Sequence, residues 1–485
     1  MFGLHWAIVP FAIIALAKGE PTALLIAASV ASFAQTGAVG AVMLKTKDKR
    51  LRELAIPAFI SGWFGVTEPA IYGITLPKKR PFWVSCIVSG ILSAVAMALG
   101  IKAYTMGALG IFSFTSNITL TGEVSGAIKM MIVSAVAVIA GFVVTYLVGF
   151  EDDVIEYAKT QVRDVCTLKE DHMRNLYMEL PAEEKETTVL LDAHSDEVGF
   201  IVQAVKPNGT LRFLPLGGWD PKNIIGNKVW IKNKDNELIS GVVCSKPPHF
   251  MKDGEKGKSI DFDDLLIDVG ATSAQELMEV YRIGIGSPVV PAVECEYNEK
   301  QKTFMGKGFD CRIGCAALLE TMQELDSKKL HTKVVATLTS QEEVGERGMA
   351  CAIHNVKPDI VICFEGCPAD DTFEEPYMIQ SGMKKGVMLR HFDRSMITNP
   401  RFQRFALEIA EKYGIHVQES VRKGGGTNGG ITHTAYEGIP TIVIGVPVRY
   451  AHSCYGICAY DDYREAVELA KHIIEDISSQ DILSF

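Results

Sequence analysis

Four short apolar runs in this chain each lead into side chains that bind cations or move protons. TTVLL at 187–191 leads into DAHSDE, KVVATLT at 333–339 into SQEEVGERG, DIVICF at 359–364 into EGCPADD, and PTIVIGV at 440–446 into PVRYAHS. A fifth acidic position, Asp310 in GKGFDCRIGCAALLETMQEL, stands at the mouth of a stretch with amphipathic helical spacing. Two histidines and three carboxylates converging from five places make a two-metal centre, because imidazole nitrogen and carboxylate oxygen suit zinc, cobalt or manganese. One carboxylate must bridge, to hold two cations roughly 3.5–4 Å apart. The adjacent pair Glu342 and Glu343 meets a geometric need of such a centre. On extended backbone neighbouring side chains point opposite ways, so Glu343 can bind metal while Glu342 faces the reacting water as general base. Any one of these residues alone reads as a capping or surface group; their joint placement at the ends of apolar runs is what makes a site.

The same pattern names the elements that must position them. Short apolar runs alternating with helix-like stretches specify a sheet covered by helices. Open α/β sheets build their sites at the carboxyl ends of strands, where these residues stand. From about Gly199 to Glu294 the chain turns strand-and-turn rich, with TLRFLPLGG, KVWIKN and ELISGVV. Eleven cysteines scattered through a long chain read as reduced thiols, not as a disulfide scaffold. Three Cys-x-x-x-Cys pairs, Cys311/Cys315, Cys363/Cys367 and Cys454/Cys458, read as small buried side chains, since thiolate metal sites use Cys-x-x-Cys more often.

The first third of the chain is written for a different solvent. Over 485 residues the hydrophobic share is 48% and the mean hydropathy +0.15, high for a purely soluble protein. Residues 1–150 hold 11 Lys and Arg against 5 Asp and Glu, net +6, so with −10 overall the remainder carries −16. Thr22–Leu44, Phe82–Ile101 and Met130–Phe150 are uncharged for 23, 20 and 21 residues. About 20 residues of helix cross the hydrocarbon of a bilayer, so three membrane helices are expected. Ala55–Pro77 is apolar but broken by Gly62, Gly65, Pro69 and Gly73, with Glu68 at its middle, which suits a re-entrant hairpin. An intramembrane carboxylate is a functional residue by default. Lys45, Lys47, Lys49, Arg50 and Arg52 precede the hairpin and Lys78, Lys79 and Arg80 follow it, so by the positive-inside rule both ends lie in the cytoplasm. The next two helices carry the chain out and back, leaving Glu151 and all that follows cytoplasmic. MFGLHWAIVPFAIIALA at the start shows no cleavable signal peptide.

GLHW at Gly3–Trp6, ASFAQTGAVGAV at Ala31–Val42 and GVTEPAIYGITLP at Gly65–Pro77 resemble the membrane subunit (IIC) of β-glucoside permeases of the bacterial phosphotransferase system. The resemblance covers about residues 1–150 and places Glu68 and His5 at a sugar site, where a carboxylate accepts hydrogen bonds from adjacent hydroxyls. Most of that family's earlier helices are absent, as is a IIB domain with its phosphocysteine.

From about residue 149 to 485 a second resemblance takes over. AHSDEVGF, SKPPHFMK, DLLIDVGA, GKGFDCRIGC, TSQEEVGERG, GGGTNGG and IPTIVIGVPVRYAHS, in this order, resemble the tetrahedral, dinuclear-metal glutamyl aminopeptidases, also labelled endoglucanase M. The resemblance implies an α-helical membrane segment (1–150) followed by an α/β metallopeptidase domain (151–485) with helices around a mixed sheet and an inserted small β-domain (about 199–294) used in assembly. It implies two divalent metal ions, zinc or cobalt before manganese. His194 and His452 serve one metal each, Asp310 bridges, Glu343 and Glu365 complete the ligands, and Glu342 is the catalytic base. Asp196 matches the carboxylate that orients the first histidine. Three departures stand out: many members have Asp at the positions of Glu365, Cys311 and Asn428. Glu for Asp keeps the ligand charge, whereas Cys311 and Asn428 remove carboxylates near the site.

GFEDD at Gly149–Asp153 belongs to both resemblances, so the chain reads as a splice at a shared short word. The leading expectation is a membrane-tethered, multi-pass protein of the cell membrane with a cytoplasmic metallo-aminopeptidase acting on peptides. Self-assembly of the peptidase part is expected, and no nucleic-acid partner. The runner-up is a sugar-permease fragment needing partner subunits. An endoglucanase is disfavoured, because glycosidases use two carboxylates and no dinuclear metal.

Overall fold

Alternation of side chains across a pleat decides the architecture after residue 154, and close-packed glycines decide it before residue 149. The computed structural model describes residues 5–46, 49–76, 78, 80–106, 110–148, 154–182, 185–252 and 259–485. They divide into two units, Met1–Asp153 and Val154–Phe485. The shared word at 149–153 lies outside the described residues.

In the first unit the uncharged runs are helices, Leu24–Lys45, Arg80–Ala98 and Ser125–Val148. All three are long and apolar enough to cross a membrane. Two of them touch backbone to backbone. A Cβ on Gly37 would lie 2.1 Å from the Val138 carbonyl oxygen, and one on Gly141 2.4 Å from that of Ala34. Small residues at such a crossing allow the close packing that associates helices in lipid. The broken segment is a helix, Lys49–Trp63, a turn with Gly65 at φ 84°, and two short helical turns, Glu68–Ala70 and Ile71–Thr75. Glu68 opens the second leg and is exposed. His5 begins the His5–Ala17 helix, and its side chain lies outside the described residues.

The second unit opens with the Val154–Val162 helix, followed by β1 (Thr167–Glu170), β2 (Leu176–Glu179) and β3 (Thr188–His194). An insert follows, with β4 (Gly199–Val205), β5 (Thr210–Leu216), β6 (Lys228–Lys232), β7 (Leu238–Cys244), β8 (Leu266–Asp268) and β9 (Pro288–Pro291). Then come β10 (Glu296–Asn298), β11 (Thr303–Gly306), β12 (Lys333–Thr339), β13 (Ile360–Pro368), β14 (Val387–Phe392), β15 (Val417–Val421), β16 (Thr441–Arg449) and β17 (Gly456–Ala459).

The main sheet runs β1-β2-β12-β3-β13-β16-β17-β11-β10, with β14 joined to β16 and β15. Its centre, β12, β3, β13 and β16, is parallel. These strands are buried on both faces, as parallel sheets covered by helices must be. Val189, Leu191, Val334, Ala336, Ile360, Ile362, Ile442 and Ile444 face one helical layer. The intervening Leu190, Val335, Val361 and Val443 face the other, packed with Met349, Ala352 and Ile353 of the Arg347–Val356 helix.

One expectation is corrected here. The Phe309–Glu324 helix is not amphipathic: residues 313–315, 317–319 and 321–322 are all buried. It lies between β3 and β13 on one side and the Val154–Val162 and Tyr460–Asp476 helices on the other. Its opening is not helical either, with Asp310 at φ −83° and ψ 105°.

The insert closes on itself as a barrel, β4-β5-β8-β7-β6-β9, around Phe200, Phe213, Ile231, Val243 and Ile267. Closure removes the open strand edges a small sheet would otherwise present.

Candidate metal centre

The register of the parallel strands brings their carboxyl ends together: Thr339 pairs with His194 across β12 and β3. His194 is 1% exposed, and its Nε2 lies 3.2 Å from Asp310 Oδ1 and 3.5 Å from Glu365 Oε2. His452, just past β16, places Nε2 3.2 Å from Asp310 Oδ2 and 3.4 Å from Glu343 Oε2. Two imidazoles thus address opposite oxygens of one carboxylate. Glu342 Oε2 stands 3.8 Å from His194 Nε2. The ligand atoms form two groups, each with its atoms within 4.8 Å of one another: His194, Asp310, Cys311 and Glu365, and Asp310, Glu343 and His452. Asp310 alone belongs to both, as a bridge must. Glu68 and His5 belong to the other unit.

The Glu342–Glu343 pair reaches this arrangement by a route the sequence did not indicate. The expected extended backbone is a turn: Gln341 has φ 58°, and the Gly345 and Glu346 N–H groups both donate to the Glu342 carbonyl at 2.9 Å. Asp196 pins the turn, accepting from the Glu342 N–H (3.1 Å) and the Glu343 N–H (3.2 Å) on its two oxygens. The two side chains diverge because of that anchored turn, not because of a pleat. Asp196 Oδ1 is also 3.5 Å from His194 Nδ1, which makes no hydrogen bond among the described residues. The contact expected from the resemblance is therefore long, and the stronger bonds of Asp196 go to the turn.

His452 is oriented from the barrel side. Its Nδ1 lies 2.9 Å from the Gly218 carbonyl oxygen, so Nδ1 carries the proton that is donated and Nε2 is left to face the carboxylates. Gly217 and Gly218 are needed there: a Cβ on the first would lie 2.6 Å from Val198 Cγ1, and on the second 3.1 Å from His452 Nδ1. Beneath His194, the buried Asp192 accepts from Thr337 Oγ1 (2.8 Å), Thr339 Oγ1 (3.0 Å) and Asn428 Nδ2 (2.7 Å). Asn428 thereby ties the glycine loop to β3 and β12.

Charge in this cluster is out of balance. Burial, reinforced by Glu365 and Asp310 and opposed by His194, pushes the Glu342 carboxyl up to about 9. Burial and Asp310 push Glu343 up to about 8, and burial raises Glu365. Burial also opposes ionisation of Asp310, but hydrogen bonds from His194 and His452 hold it below the usual carboxylate range. His452, disfavoured as a cation by burial, is raised to about 9 by Asp310 and Glu343. Glu343 Oε1 is buried without a hydrogen-bond partner among the described residues. A desolvated carboxylate oxygen of this kind is costly unless a cation takes it. Imidazole nitrogens and carboxylate oxygens with a shared Asp310 fit two divalent cations.

The cluster opens into a cavity of about 510 Å³, also lined by Arg390, Arg422, Lys423 and the glycine loop 424–426. Arg390 is 4% exposed and pairs through Nη1 with Asp393 Oδ2 at 2.8 Å. Sequence reasoning passed over it, although an arginine inside the apolar run VMLRHF was a signal, since charges inside central strands are buried only when paired.

The sequence model of the M42 glutamyl aminopeptidase family matches residues 174–469. The glutamyl aminopeptidase of Lactococcus lactis subsp. cremoris is 30% identical over 337 residues, 69% of this chain and 94% of that protein. Among solved structures, the TET aminopeptidase of the marine sediment archaeon Thaumarchaeota archaeon SCGC AB-539-E09 gives a TM-score of 0.66 at 31% identity, covering 69% of this chain and 94% of the other. The Pyrococcus horikoshii TET1 peptidase, described as assembling into a tetrahedron or a large octahedral shell, gives 0.60 at 28% identity, covering 66% and 93%. A different relative matches elsewhere. The phosphotransferase-system beta-glucoside-specific EIIBCA component of Halalkalibacterium halodurans is 50% identical over 116 residues, 24% of this chain and 18% of that protein.

Proposed function

The chain belongs to the M42 glutamyl aminopeptidase family, and on that premise we propose that its second unit removes N-terminal residues from peptides with the help of two divalent cations. The observation that carries the metal reading is the pair of imidazoles on opposite oxygens of Asp310, at 3.2 Å each. His194, Asp310 and Glu365 hold one cation, and Asp310, Glu343 and His452 the other, with zinc or cobalt preferred to manganese. When bound, the cations supply Lewis-acid polarisation of the scissile carbonyl and acidify the attacking water.

Glu342 is the general base. It belongs to neither ligand group yet reaches the same space, so its Oε2 is placed to take the proton of the attacking water and return it to the leaving amine. Asp196 positions the turn that carries Glu342 and Glu343. Chelation followed by elemental analysis and anilide kinetics tests the assignment: turnover of glutamyl- or leucyl-anilide should vanish with the metal and return with it. Full turnover by metal-free protein would overturn it.

The first unit carries no part of this chemistry. Its likeness to a β-glucoside permease and its three apolar helices support a multi-pass tether in the cell membrane. The basic stretches flanking the Ala55–Pro77 segment support a cytoplasmic peptidase. Self-assembly of the second unit is supported by its likeness to a peptidase described as assembling into a tetrahedron or a large octahedral shell. A second reading, that Glu68 and His5 contact a sugar, draws on the 50% identity of the permease stretch. Glu68→Gln would then alter sugar binding and leave peptide cleavage untouched.

A further inference from the structure

We propose that Cys311 is a fourth protein ligand to the cation beside His194, closing that position, while the position beside His452 keeps three protein ligands and stays open for the reaction. The inference rests on the two-cation reading above and concerns how the two positions differ. Cys311 is 0% exposed, and its Sγ shares one group with His194, Asp310 and Glu365, all ligand atoms within 4.8 Å. It follows the bridging Asp310 directly on non-helical backbone (φ −113°, ψ 31°), so two consecutive residues offer ligand atoms at one helix mouth. Its Sγ lies 3.0 Å from the Phe364 carbonyl, the residue before Glu365, and Gly314 makes room for it, since a Cβ there would come within 2.4 Å of the sulfur.

The two positions also differ in their access to solvent. His194 and Cys311 are 1% and 0% exposed, whereas the His452 side chain is 35% exposed; the carboxylates Glu365 and Glu343 do not differ in this way. The cavity wall includes Glu343 and His452, and of the residues beside His194 the shared Asp310 and Glu365, but neither His194 nor Cys311. Four protein ligands characterise closed, structural sites and three leave the open position that catalysis needs. A thiolate is a soft donor, so it biases this position toward zinc and against manganese. Binding exchanges the S–H bond for an S–metal bond, the thiol proton leaves to solvent, and the hydrogen bond to the Phe364 carbonyl is given up. A cysteine present only for its volume would keep that hydrogen bond and leave both positions alike.

The test uses the full chain in detergent, stripped and reloaded with cobalt(II), its metal content measured by elemental analysis and its near-ultraviolet spectrum recorded. A sulfur-to-cobalt charge-transfer band is expected in the natural protein and should be lost in Cys311→Ser and Cys311→Asp with cobalt still bound. Bound cobalt without the band in the natural protein overturns the proposal, and this outcome needs no variant to fold. A band that survives in Cys311→Asp assigns the sulfur to another residue and also overturns it. Failure to bind any cobalt removes the two-cation reading itself, and the elemental analysis separates that result from the others.

Discussion

Glu342 stands 3.8 Å from His194 and yet sits in neither candidate ligand group, a position that, on the two-cation proposal, separates chemistry from metal binding. Glu342→Gln keeps the size and the turn but cannot take a proton. It should leave metal content unchanged and lower turnover by roughly 10²–10⁴, the usual contribution of a positioned acid–base group. Near-normal rates in that variant would sink the role. The pH dependence of metal uptake follows from the same residues. Without a cation, Glu343 is raised to about 8 and Glu342 to about 9, so below those values both bind protons more tightly than an ordinary carboxyl. Ligation by Glu343 requires its ionised form, and cations beside Glu342 favour its carboxylate, hence uptake must expel protons and weaken as the pH falls through that range. Calorimetric titration at pH 6, 7.5 and 9 should show affinity rising with pH and proton release largest at the acid end; a flat profile would contradict it.

At the scale of elements, the turn after β12 decides where the two glutamates stand, and so whether they meet the proposed cations. Asn175 braces it: Oδ1 accepts from the Ser340 N–H and Nδ2 donates to the Gly348 carbonyl, both at 3.0 Å. A Cβ on Gly348 would lie 2.2 Å from the Ser340 carbonyl oxygen. Gly348→Val therefore has to push the turn aside, and a displacement of about 1 Å at a catalytic group costs on the order of 10² in rate. We expect kcat to fall with the secondary structure retained, checked by anilide kinetics beside circular dichroism; unchanged kcat would show the turn is held by other means. This brace also marks where the sequence stopped being legible. The strands carrying His194 and Glu365 could be read from period and end residues, because both signals are local. The turn could not, since Asp196 and Asn175 reach it from the loop after β3 and the loop before β2. Nor could the buried Phe309–Glu324 helix, whose polar-looking spacing gives no hint that helices cover it on the side away from the sheet. Arg390 and Cys311 were visible as residues, but only the fold shows that one faces the cavity and the other the ligands.

For the whole molecule the prediction concerns solvent. Charge of +6 over residues 1–150 and −16 from residue 151 onward, with the three long apolar helices among the described residues all in the first unit, concentrates the membrane features on one side of the junction. Residues 154–485 alone should be recovered without detergent and retain metal-dependent cleavage, whereas the full chain should fractionate with membranes. Detergent dependence of the fragment would refute that division. A reporter active only in the periplasm, fused after Asp153, should stay silent; a signal would reverse the orientation drawn from the basic stretches and remove the reducing environment in which eleven thiols persist.

The carbonyl of Gly218 fixes the tautomer of His452 from the loop after β5, and a carbonyl is common to every amino acid. Selection on that contact therefore acts on the path of the main chain and, besides Gly217 and Gly218, which leave room for it, on few letters of the barrel. The insert can diverge along most of its length, changing whatever assembly or cargo it serves, so long as its loop returns to the same place. Sequence comparison will score such an insert as freely variable, while its deletion would silence a ligand more than two hundred residues away.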